Sequence, residues 1–226
     1  MKYLIVNADD FGASRGINQG ILELHRSGVL TSTSLMIDSP AAADAVERAL
    51  REPALGVGLH VTLTAEDAAP LIDFDDRSQC AAELEAQIDR FQTALGRLPT
   101  HIDSHQNVHR DERLKPLFMQ TARRHGLPLR EHSPARYFSA FYGQWDGETH
   151  PEQISVENLL RMLASAPSEG ITELSCHPGY VDPRFESVYH AEREMELKTL
   201  SDPRFREFIK ERGIALITFR EVSTVC

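Results

Sequence analysis

The stretch Tyr3-Leu4-Ile5-Val6-Asn7-Ala8-Asp9-Asp10-Phe11-Gly12 runs from apolar residues into two adjacent carboxylates and then a glycine. That order reads as a buried parallel strand that empties into a loop. Side chains at the carboxyl end of such a strand line the place where α/β folds bind ligands. Two neighbouring carboxylates repel each other, so a metal ion or a bound proton must compensate them. A plainer reading makes the pair a helix cap at a turn of the chain. The histidines further along weigh against it.

Outward from this strand, apolar strands and amphipathic helices alternate almost from end to end. Strands are expected at 3–8, 29–37, 56–63, 100–104, 128–130, 171–176 and 214–218. Residues 29–37 are rich in β-formers. Helices are expected at 14–26, 41–51, 80–95, 113–125, 155–166, 188–200 and 203–212; the first carries Ile17, Ile21, Leu22 and Leu24 at near-helical spacing. About seven strand–helix units without a Gly-Ser linker predict an α/β protein of one domain spanning 1–226, a single distorted (β/α) TIM-like barrel. A doubly wound open sheet is the alternative. Two stretches read as irregular insertions, 66–76 and 137–151, and the second holds Phe141, Tyr142 and the only tryptophan, Trp145.

Composition narrows the function. The 226 residues are 41% hydrophobic and 26% charged, ordinary for a globular protein with a sizeable core. A net charge of −10 argues against nucleic acid or an anionic membrane as partner and suggests a neutral substrate. There is no apolar run of the roughly 18 residues that a membrane span needs. The chain enters its first strand without a signal-peptide pattern. Cys80, Cys176 and Cys226 are too few and too scattered for a disulfide framework, which fits a cytoplasmic protein. Cys176 reads as a small buried strand residue rather than a nucleophile.

Histidines recur where strands end. Gly58-Leu59-His60-Val61-Thr62-Leu63 places one in or at the end of a strand. His101-Ile102-Asp103-Ser104-His105-Gln106-Asn107-Val108-His109 ends another, and His105 and His109 share a face if the chain turns helical there. Ser175-Cys176-His177-Pro178-Gly179 breaks regular structure just after the imidazole. In a barrel all these strand ends face one rim, so distant residues converge. Carboxylate with neutral imidazole suits Zn, Fe, Co, Ni or Mn, and Mg if waters complete the shell. No Cys-x-x-Cys is present, so a structural zinc site is not indicated. Consecutive strand residues point to opposite faces, so Asp9 and Asp10 can share a site only if the strand has already ended.

Asn7-Ala8-Asp9-Asp10-Phe11-Gly12, Gly58-Leu59-His60, Thr100-His101-Ile102-Asp103-Ser104-His105 with His109, and His177-Pro178-Gly179-Tyr180 resemble the YdjC-like carbohydrate deacetylases. That family includes chitooligosaccharide deacetylases and relatives associated with hopanoid biosynthesis. The resemblance runs in order across nearly the whole chain. It implies a distorted (β/α) barrel related to the polysaccharide deacetylases, one divalent metal ion (Mg or Zn), and removal of an N-acetyl group from an acetylated mono- or oligosaccharide. Asp10, His60 and His105 are the implied metal ligands, Asp9 the implied general base and His177 the implied general acid. The roles of Asp9 and Asp10 are exchangeable at this level. Arg130 stands where the wider superfamily has an arginine orienting the base.

For the neighbouring residues the readings divide. Asp103 orients a ligand histidine or binds the metal itself. His109 is expected in the substrate pocket or behind a ligand. Tyr142 and Trp145 would stack on sugar rings, or else fill a core edge or an oligomer interface. His25, His101, His125, His132, His150 and His190 are expected to be surface or structural residues. The loop 66–76 is where substrate choice is expected. The resemblance and the aromatic insertion together suggest a homodimer. Two other activities stay open: hydrolysis of another amide or an ester on a non-sugar substrate, and sugar binding without turnover.

Overall fold

Alternate residues of the first strand, β1 (Lys2–Phe11), serve two different interiors. Leu4, Val6 and Ala8 pack in the large apolar core, together with Ile17 and Ile21 of helix α1 (Arg15–Arg26). Ile5, on the other face, belongs to a smaller apolar cluster with Ala135, Ile171, Ile217 and Phe219. Asn7 and Asp9 continue that inner face upward, and both are buried. The two-residue period of a strand thus divides one stretch between helix packing and a polar interior. The computed structural model describes residues 2–167 and 169–225.

The remaining elements follow in the expected alternation. They are β2 (Ser32–Leu35), α2 (Ala42–Ala49), β3 (Gly56–Val61), α3 (Arg77–Leu95), β4 (Ile102–Ser104) and α4 (Lys115–His125). After β5 (Ala135–Phe138) comes a short hairpin, β6 (Gln144–Trp145) and β7 (Glu148–Thr149). Then follow α5 (Val156–Ser165), β8 (Gly170–Cys176), α6 (Ala191–Ser201), α7 (Pro203–Glu211) and β9 (Ala215–Leu216). Side-chain oxygens cap several helix starts: Ser14 accepts from the Ile17 N–H, and Asp76 from those of Ser78 and Gln79. Among the described residues no helix is long and apolar enough to cross a membrane.

The strands form a seven-stranded sheet in the order β4-β3-β2-β1-β8-β5, with β9 beside the amino end of β1. Every pairing within it is parallel. The sheet curls into a half-barrel, so the distorted TIM-like barrel expected from strand–helix alternation is present as an open, incomplete one rather than a full barrel of seven units. Its edge strands, β4 and β5, do not pair with each other. Residues 128–130, expected as a strand, contribute only an isolated bridge between Leu129 and Ile102. The gap is spanned by side chains, above all Arg130, which ranks among the largest fully buried residues.

Local departures from expectation have local causes. The insertion 137–151 holds the β6–β7 hairpin, turned by Asp146 and Gly147 at φ 53° and 76°. Two successive positive φ values are the signature of an Asp-Gly hairpin turn. The inner face of β3 needs glycine, because a Cβ at Gly58 would lie 2.2 Å from the ring of His101. His101 is itself wholly buried and stacks on Phe219 at 3.7 Å.

Candidate active site

Asp9 and Asp10 share a site although the strand has not ended. β1 continues through Phe11, but its register against β2 passes from Ala8↔Thr33 to Phe11↔Leu35. One extra residue is accommodated there as a bulge. Asp10 takes the left-handed conformation, φ 65°, which Asp tolerates better than most residues. The bulge turns two neighbouring side chains towards one cavity. The expectation that the strand must stop first is corrected accordingly.

Asp10 meets both expected histidine partners. Its Oδ1 lies 3.3 Å from His60 Nε2 and 3.4 Å from His105 Nδ1, with all three residues buried. One ligand atom from each falls within 4.8 Å of the others. Asp10 Oδ2 is held by Arg193 at 2.7 Å. Burial would raise the Asp10 carboxyl, but Arg193 together with His105 and His60 holds it well below the usual range. The far nitrogen of His60, Nδ1, pairs with Asp103 Oδ1 at 2.7 Å, which fixes the ring with Nε2 towards Asp10. Burial alone would lower the His60 imidazole. Asp103, with Asp10 and Asp9, overrides it and pushes the group up to about 10. One carboxylate and two imidazoles facing one point are a donor set that suits a divalent cation.

A second cluster of potential ligand atoms, from Asp9, His60 and Asp103, is already filled by a guanidinium. Arg130 binds Asp9 through two bonds of 2.8 Å, Asp103 at 2.8 Å and Glu173 at 2.7 Å. Asn7 Nδ2 adds a bond of 2.8 Å to Asp9 and Ser175 Oγ one of 3.3 Å. Burial pushes the Asp9 carboxyl up, yet Arg130 outweighs it and the net direction is down. Asp9 is therefore ionised and oriented by Arg130, whereas Asp10 is held by Arg193.

His177 Nε2 stands 3.8 Å from Asp9 Oδ2. Burial lowers its imidazole against the opposing pull of Asp9 and Asp10. Behind it, Glu196 accepts from the His177 backbone N–H and from the Tyr189 hydroxyl, both at 2.5 Å. Burial pushes the Glu196 carboxyl up to about 8. Tyr189 stacks on Tyr142 at 4.6 Å. A cavity of about 200 Å³ opens among these groups, lined by Asp9, Asp10, His60, His105, His177 and Tyr142 with others. A larger concavity of about 510 Å³, lined by Arg97, Phe219 and Arg220, lies by the amino ends of β4 and β5 and holds none of these acid or imidazole groups.

Two expected pocket residues lie elsewhere. Gln106 and Asn107 are left-handed, φ 53° and 54°, so His105 and His109 share no helical face. His109 instead bonds Ser104 Oγ at 2.7 Å and Glu131 at 3.3 Å, outside the cavity lining. Burial pushes its imidazole down to about 4. Trp145 stacks on His150 at 3.5 Å within the hairpin, 44% exposed, and does not line the cavity. Arg193, Glu196 and Tyr189 were not anticipated, and Glu66 was anticipated only as the first residue of the loop expected to choose the substrate. A signal for the first two exists in α6, where Arg193 and Glu196 fall on the same face as the buried Leu197 and Leu200. Charges on an apolar stripe are seldom buried without partners.

Known proteins share this arrangement of sequence and fold. A carbohydrate deacetylase of Geobacillus stearothermophilus is 39% identical over 251 aligned positions, covering 97% of this chain and 98% of that protein. A chitooligosaccharide deacetylase of Yersinia pestis is 36% identical, covering 96% and 98%. The crystal structure of an Enterococcus faecalis protein named for cellobiose-phosphate cleavage superposes with a TM-score of 0.84 at 31% identity, covering 100% of this chain and 99% of that one. The peptidoglycan deacetylase of Bacillus subtilis, at 14% identity with a TM-score of 0.58 and coverage of 99% and 91%, shares the fold. The model of the YdjC-like protein family matches residues 3–211, and the chain belongs to that family.

Proposed function

We propose that this protein is a metal-dependent hydrolase, folded as one domain, that removes the N-acetyl group from an acetylated mono- or oligosaccharide. One observation carries the reading: an Asp10–His60–His105 set facing one point, beside an Asp9–His177 pair whose carboxylate is bound by Arg130. A protein that only bound sugar would need no such acid–base pair.

Asp10, His60 and His105 would hold one divalent ion, Mg or Zn. Such an ion, when bound, polarises an acetyl carbonyl and acidifies a water. Asp9, kept ionised and aimed by Arg130, takes the proton of the attacking water. His177 gives a proton to the departing sugar nitrogen, since an amine anion cannot leave unaided. The 3.8 Å between His177 and Asp9 leaves both groups facing the same small cavity. Glu196 holds the His177 backbone, and the Tyr142–Tyr189 stack offers a wall for a sugar ring. Loop 66–76 selects the sugar. The names of the deacetylase relatives support this class of substrate.

The test is acetate released from a panel of N-acetylated sugars, non-sugar acetamides and acetyl esters, with and without chelator. Release from at least one sugar, stopped by chelator and restored by added metal, is expected. Release from the non-sugar compounds alone would move the enzyme to another substrate class. Tight sugar binding with no acetate released would make it a binding protein.

A further inference from the structure

Each imidazole beside Asp10 has a second nitrogen, and the two are treated differently. His60 turns Nε2 to Asp10 and rests Nδ1 on Asp103, wholly buried in the core, at 2.7 Å. His105 has the reverse orientation, with Nδ1 at 3.4 Å from Asp10 and Nε2 pointing away. That Nε2 is buried and has no hydrogen-bond partner. The acidic group facing it is Glu66, whose Oε1 lies 3.6 Å away. This is too long for a hydrogen bond and short enough for a small movement to make one.

Glu66 differs from Asp103 in where it sits. It belongs to the stretch between β3 and α3, and 34% of its side chain is exposed. That stretch folds back on itself through a Thr64–Pro70 bridge. Gln106, the residue after His105, donates from Nε2 to the carbonyl oxygens of Ala65 and Glu66 at 3.1 and 3.2 Å. The loop is therefore tied by two hydrogen bonds to the residue after His105, and it sets the Glu66 carboxylate in front of the His105 ring. Glu66 also lines the cavity mouth with Ser187 and Val188.

We propose that Glu66 is a positioning residue for His105, closing onto Nε2–H so that the unprotonated Nδ1 faces Asp10, and that it thereby couples the position of loop 64–76 to the metal site. A carboxylate behind a ligand imidazole fixes its tautomer and orientation and raises its basicity. The inference rests on reading Asp10, His60 and His105 as metal-binding. It adds that one of the two histidines is completed by a surface loop, not by the core.

The experiment is calorimetric titration of the metal-free full chain with zinc, comparing wild type, Glu66→Ala, Glu66→Gln and His60→Ala. Glu66→Ala should bind zinc about 10- to 100-fold more weakly, as expected for loss of such a partner. Glu66→Gln, whose amide oxygen still accepts from Nε2–H, should recover most of that loss. The metal-free melting temperature should not move, because Glu66 lies on an exposed loop. Wild-type zinc affinity in Glu66→Ala, with only KM altered, would overturn the proposal and leave Glu66 a substrate contact. If wild type and His60→Ala took up zinc alike, the metal reading itself would fail. The two failures are thus distinguishable.

Discussion

Asp9 and Asp10 are adjacent copies of one residue, and the backbone sends them to opposite tasks. Asp9 is bound by Arg130 through both carboxylate oxygens, whereas Asp10 offers Oδ1 to two imidazoles and gives only Oδ2 to Arg193. Asp10→Asn should therefore lose the divalent ion. Asp9→Asn should keep it and lose kcat by about two to four orders of magnitude, the range for a general base. Elemental analysis paired with steady-state kinetics reads both outcomes. Metal lost from the Asp9 variant and retained in the Asp10 variant would mean that the roles are exchanged.

At the scale of elements, the site depends on how closely β3 and β4 pack on their inner faces. β3 turns Leu59 and Val61 to the apolar core, while Gly58 and His60 lie on the opposite face. Gly58 leaves room for the His101 ring, which bonds Ser34 Oγ at 3.0 Å. Ser34 in turn donates to Asp103 at 2.6 Å, and Asp103 holds His60. A methyl at position 58 would strike that ring, so Gly58→Ala should destabilise the fold by about 1–3 kcal/mol, as overpacked cores do. The midpoint of urea unfolding measures it. An unchanged midpoint would show that the ring can yield without cost.

Across the whole molecule, Arg130 does what a closed set of strands does in a complete barrel. It reaches Asp9 of β1, Asp103 of β4 and Glu173 of β8 from the one segment that joins the sheet edges. Glu173 is wholly buried, and burial pushes its carboxyl up to about 7 despite Arg130. Arg130→Met would leave buried acids without a counter-charge, at a cost of about 3–5 kcal/mol. Denaturant unfolding at neutral pH should show a loss of that size. A loss below about 1 kcal/mol, the worth of an exposed ion pair, would deny Arg130 its structural part.

Much of this was legible along the chain because it is local. Strand and helix periods, the order of the histidine motifs and the family resemblance all depend on neighbours within a few residues. Asp9, Asp10, His60, His105 and His177 accordingly line one cavity as expected. What tertiary structure alone decided depends on contacts between segments far apart in sequence. The bulge at Asp9–Asp10 arises from register against β2, and no strand pattern announces it. The left-handed pair Gln106–Asn107 removed His109 from the pocket, although its spacing from His105 suits a helix. Arg193 and Glu196 reach Asp10 and His177 from α6, near the other end of the chain. A charged residue on a helix ordinarily faces water. Their place on the stripe of Leu197 and Leu200 hints that these two turn inward, but only the position of the helix over the sheet sets the partner on which each buried charge depends.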